Sequence, residues 1–65
     1  MSIEKYTIFV KDLNNKKNFK FVIEEDCPWQ VHKKAYDRTS NYQEISKITD
    51  HEGTVVYDIN TGFKV

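Results

Sequence analysis

The chain has 65 residues, 38% of them hydrophobic and 14% aromatic, with ten basic and ten acidic side chains and a formal net charge of zero. A chain this short buries only about 60% of the surface its unfolded form exposes, which leaves little room for both a packed core and a deep catalytic cleft. The zero balance argues against a dedicated nucleic-acid binder, which carries a clear basic excess, and equally against a strongly acidic mimic of DNA phosphates.

The hydrophobic content is too high for a disordered tail, so one small folded domain, spanning 1–65, is expected. The single cysteine, Cys27, excludes an internal disulfide framework. With neither a signal-like apolar run nor a stretch of about 20 apolar residues, the chain reads as soluble and cytoplasmic, with no membrane role. Its charges are unevenly spread. Residues 1–20 hold five lysines against Glu4 and Asp12, a local +3, which leaves −3 for the remainder.

Over 3–11, Tyr6, Ile8 and Val10 share one face at period two, with Thr7, Phe9 and Lys11 on the other, which predicts a strand. Residues 12–18 are a turn, with Asn14 and Asn15 the residues most tolerant of unusual backbone. The alternation resumes over 19–24, with Phe19, Phe21 and Ile23 opposite Lys20, Val22 and Glu24, so the two runs predict a hairpin. Asp26 is the expected N-cap of a helix from Cys27 to about residue 40, with Pro28 in its first turn. On a helical wheel Cys27, Val31, Ala35 and Tyr42 cluster on one side, and Trp29 and Tyr36 share a line at the margin of that face. Residues 44–49 form a weaker strand, because Ile45 and Ile48 are three apart and fall on opposite faces. A turn through Gly53, a strong strand over 54–59, a turn at 60–62 and a short closing strand over 63–65 complete the chain. The expectation is an α+β domain, β-β-α-β-β, with about four antiparallel strands and one helix on one face.

No constellation points to chemistry, and the chain is read as non-enzymatic. Cys27 sits near a helix N-terminus, where thiols ionise more readily, but Glu24, Glu25 and Asp26 oppose that and no histidine is near in sequence. His32, His51, Asp50 and Glu52 are metal-ligand types, yet neighbouring side chains in a turn point apart and His32 lies on the helix; no metal and no cofactor are expected. Lys16, Lys17 and Lys20 interleave with Phe19 and Phe21 in a pattern that suits single-stranded nucleic acid. Against this, Lys20 points away from the two rings, so nucleic-acid binding by the hairpin is the alternative reading and not the preferred one.

The preferred candidate site is Trp29, Lys33 and Tyr36. The lone Trp can be the largest core residue or a half-exposed interface anchor, and aromatic residues beside a cationic rim have the composition of a protein–protein hot spot. The sheet can cover only one side of the helix, and Val31 and Ala35 are where it should sit. A second protein is therefore the expected partner, with self-association through an edge strand a further option.

The chain's richness in Lys, Asn and Ile, together with the closing run Lys-Ile-Thr-Asp-His-Glu-Gly-Thr-Val-Val-Tyr over 47–57, resembles the small accessory proteins of tailed bacteriophages. One of these, a T-even phage antitoxin, also has an acidic lead into a helix with a Trp near its start and a Tyr further on, matching 24–36 here. Cys27-Pro28 and the glycine-turned second hairpin depart from it, and no functional residue is carried over. The resemblance implies a protein that binds and disables one host protein.

Overall fold

The computed structural model describes residues 3–63. The elements are β1 (Glu4–Asp12), β2 (Asn18–Glu25), α1 (Pro28–Arg38), β3 (Gln43–Thr49), β4 (Val55–Asp58) and β5 (Gly62–Phe63). They form one open antiparallel sheet in the order β2-β1-β3-β4-β5 with the helix on one face. β1 is antiparallel to both its neighbours, so β2 and β3 run parallel on either side of it. A parallel pair cannot be joined by a tight turn, and α1 is the crossover that joins this one. Among the described residues the strands number five, the two-residue β5 being the expected short closing strand; Lys64 and Val65, expected to extend it, lie outside the described residues.

The core follows from the period-two patterns. Tyr6, Ile8 and Val10 of β1, Ile23 of β2, and Ile45 and Ile48 of β3 are buried together with Val31 and Ala35 of the helix. Ile8 stands opposite Phe21 on one side and Ile48 on the other, at the centre of the packing.

The expectation that Ile45 and Ile48 face opposite ways is overturned, since both are buried. The reason is a β-bulge. Phe9 pairs with Lys47 and Val10 with Ile45, so Ser46 is an extra residue that returns Ile45 to the core side. The Ser46 hydroxyl donates to the Phe9 carbonyl at 3.1 Å, and the Ile59 N–H donates to the Ser46 carbonyl at 3.0 Å. Deleting Ser46 leaves Ile45 and Ile48 two apart on a regular strand. It should keep the fold at a cost of about 1–2 kcal/mol, the worth of two hydrogen bonds. Deleting Thr7 from strictly alternating β1 sets Tyr6 and Ile8 on opposite faces and should abolish the cooperative thermal transition. Equal damage from the two deletions in circular-dichroism melts would refute this account of the bulge.

The helix ends also differ from expectation. Cys27, not Asp26, is the N-cap, with no side-chain capping bond. Pro28 occupies the first helical position and drives the residue before it into extended backbone, here φ −145° and ψ 151°, so Asp26 falls outside the helix. Arg38 is the last helical residue. Thr39 then turns its N–H and hydroxyl to the Tyr36 carbonyl, at 3.2 and 2.9 Å, and Tyr42 belongs to the loop rather than to the helix's apolar face. Lys34 pairs with Glu25 and ties the helix back to the end of β2; its hydrogen bond holds the Glu25 carboxyl below the usual range.

In the first hairpin the left-handed residue is Lys16, φ 57°, rather than Asn14 or Asn15. Those two are occupied otherwise. The Asp12 carboxylate accepts both their N–H groups, at 3.0 and 3.3 Å, and the Asn15 side chain accepts from the Lys17 N–H at 3.1 Å. Gly53 has the expected positive φ, 85°.

Candidate functional site

α1 lies over β2, β1 and β3, and the far strands β4 and β5 extend past it. Two consequences meet at that boundary. The first comes from the helix. Val31 and Ala35 are fully buried against the sheet. At 100° per residue Trp29 and Tyr36 lie about 140–160° from Val31, so neither can reach the core. Trp29 is 65% exposed and Tyr36 69% exposed. The core reading of Trp29 is thereby overturned, and both rings are more open to water than the half-exposed margin position implied.

The second consequence comes from the sheet. Tyr57 of β4 and Phe63 of β5 lie beyond the helix's cover and pack against its flank through His32. Ring centroids are 4.6 Å apart for His32 and Tyr57, 5.5 Å for His32 and Phe63, and 4.9 Å for Tyr57 and Phe63. Trp29, His32, Lys33, Tyr36, Asp37 and Phe63 line a depression of about 430 Å³. An adjoining one of about 240 Å³ shares His32 and Tyr36 and adds Tyr57 and Ile59. The two form an open groove with an aromatic floor, and exposed Lys33 and Asp37 give it a charged border.

All three residues expected at this site, Trp29, Lys33 and Tyr36, line the same depression. His32, Tyr57, Ile59 and Phe63 were not among the expected residues. His32 is visible in retrospect, since 29, 32, 33 and 36 form one helical stripe. Nothing local marks Phe63, because its proximity to the helix depends on strand order.

Burial in this cluster holds the His32 imidazole below the ordinary histidine range. The unfolded chain, with the ordinary value near 6.5, then binds protons that the folded chain refuses. Stability present above that value is lost as pH falls through it. The midpoint of urea denaturation should drop between about pH 7 and pH 5, and the drop should shrink in His32→Gln. An undiminished drop in His32→Gln would place the titrating group elsewhere.

The alternative site is not assembled as the hairpin reading requires. Lys16 and Lys17 are exposed at the tip, while Phe19 and Phe21 stack at 6.3 Å on the helix side, with the Arg38 guanidinium 5.6 Å from the Phe21 ring. Lys20 is on the other face. Cys27 is half-buried, and His51 lies in the second hairpin between Glu4 and Glu52, at 3.8 and 3.5 Å. Among the described residues no three His, Cys, Asp or Glu side chains form a group able to hold a metal ion, and no helix is long and apolar enough to cross a membrane. Comparison with protein-family models, curated proteins and solved structures found no match.

Proposed function

We propose that this chain is a small non-enzymatic protein-binding module that acts by occupying a surface of another protein through the groove beside α1. Trp29 and Tyr36 are the anchors, Phe63 completes the apolar surface, and Lys33 is a polar rim contact. The observation that carries this reading is the pair of helix aromatics left more than 60% exposed beside a third exposed ring. Large aromatic area in water is unfavourable until something docks on it, and rigid aromatic side chains are the commonest anchors of protein interfaces. The resemblance to phage accessory proteins supports a host protein as the partner and inhibition or modulation in the host cytoplasm as the outcome. Self-association is a further option, since β2 offers an open edge eight residues long.

The test is affinity capture from nuclease-treated host lysate with the parent chain and with the Trp29→Ala/Tyr36→Ala variant side by side. A protein retained by the parent and lost by the variant supports the reading, provided that amide shifts on titration cluster at Trp29, Lys33, Tyr36 and Phe63. A protein held equally by both refutes the groove as the binding surface.

A further inference from the structure

The face of the sheet away from α1 carries no covering element among the described residues, and its cross-strand rows can be read from the register. Phe9 of β1 stands directly between Lys20 of β2 and Lys47 of β3. The two ammonium groups lie 5.9 and 4.7 Å from the Phe9 ring centroid. In the next row Lys11 pairs with Asn18. Phe9, Lys11, Asn18, Lys20, Ser46 and Lys47 border a shallow basin of about 500 Å³. The objection that rings and lysines occupy opposite faces holds for Phe19 and Phe21 but not for Phe9.

The charges of this basin are available. Among the described residues the ion pairs involve Lys34 and His51, not Lys11, Lys20 or Lys47. Glu44 and Asp58 are cross-strand from Lys11 and Lys47, and both lie toward β4, where the Asp58 carboxylate accepts the Asn60 N–H at 2.8 Å. The lysines free of acidic cross-strand partners therefore lie toward the hairpin tip, where exposed Lys16 and Lys17 extend the set, while exposed Glu24 stands opposite Lys5 at the far end of β2.

We propose that this open face is a second binding surface, for single-stranded nucleic acid, in which a base stacks on Phe9 and the flanking phosphates are held by Lys11, Lys20 and Lys47. A flat apolar ring seated between two mobile ammonium groups matches the alternation of base and phosphate along a single strand. A phosphate draws a lysine off the ring, and the base takes its place. An acidic peptide would use the same charges but leave the ring idle. A duplex offers phosphates but keeps its bases stacked inside. The zero net charge of the whole chain does not oppose this, because the local count decides, and Lys11, Lys20 and Lys47 gather around Phe9 on this face.

The surface is independent of the groove beside α1, and the test keeps the two apart. Fluorescence anisotropy is read on labelled oligo-dT and oligo-U of about twelve nucleotides, on a duplex of the same length and on polyglutamate, at about 50 and 200 mM salt. Both single strands should bind in the micromolar range at the lower salt and at least about tenfold more weakly at the higher. Phe9→Leu should weaken binding about tenfold with the salt dependence unchanged. Lys20→Gln/Lys47→Gln, which alters only side chains on the uncovered face, should lower the salt slope by about 1.4. Trp29→Ala should bind as the parent does. No binding at the lower salt, or equal binding of the duplex, overturns the proposal. So does indifference to Phe9→Leu in a folded variant with polyglutamate competing equally, which would assign the face to an acidic protein. If Phe9→Leu does not fold, an unchanged slope in the lysine variant overturns it.

Discussion

Ile8→Ala should come close to unfolding this protein. Ile8 is fully buried on the central part of β1, between Phe21 and Ile48 and beneath the helix. Truncating a buried Ile removes the transfer free energy of three carbons and leaves a cavity that close-packed neighbours fill only in part, a cost of about 2–5 kcal/mol. At about 0.05–0.15 kcal/mol per residue, a chain of this length has a total stability of roughly 3–10 kcal/mol. One substitution therefore removes a large share of the whole. Ile48→Ala should cost a similar amount. The double variant should cost less than the two added, because Ile8 and Ile48 face one another and lose the same contact. Urea denaturation of the three variants checks this. A loss below about 1 kcal/mol for Ile8→Ala would mean that the core is centred elsewhere.

Trp29→Ala should do the reverse, leaving the fold nearly intact and removing most of the partner affinity. With two-thirds of its surface already in water, Trp29 contributes little to folding, and its loss should shift stability by no more than about 0.5 kcal/mol. At the interface the same side chain brings its large apolar area out of water on docking, with Tyr36 and Phe63 beside it to exclude solvent. Truncating an anchor of this kind costs about 2 kcal/mol or more, at least roughly a thirtyfold loss of affinity. Tyr36→Ala should cost about 1–3 kcal/mol, and Lys33→Ala, a rim charge, less than about 1 kcal/mol with most of its effect removed by salt. Calorimetric titration against the captured partner, paired with thermal melts, separates the two axes. Melts that collapse while the folded remainder binds normally would show that the ring supports the fold and that the binding face lies elsewhere.

These opposite expectations for Ile8 and Trp29 rest on information of different kinds. The alternation of Tyr6, Ile8 and Val10 with Thr7, Phe9 and Lys11, and of Phe19, Phe21 and Ile23 with Lys20 and Val22, was sufficient to place the first hairpin and to say which side faces the core. The helical spacing of Val31 and Ala35 against Trp29 and Tyr36 was sufficient to say which pair the sheet covers. Two local preferences compete at the helix start: Asp26 has the better capping side chain, but Pro28 at the first helical position makes Cys27 the N-cap.

What the sequence could not contain was pairing at a distance. Periodicity within a strand reports two faces, but not which strand lies alongside, nor whether a bulge interrupts the count. Only the β1–β3 register reveals that Ser46 is an extra residue and that Ile45 and Ile48 share the core. Only strand order places Phe63 against the helix flank and leaves β4 and β5 outside its cover. The same register seats Phe9 between Lys20 and Lys47, residues 11 and 38 positions away in the chain. Side-chain periods follow from the geometry of a single backbone segment and can be read along it. A groove or a cross-strand row is made by segments whose contact energy is gained only when loops close, and no local pattern encodes that choice.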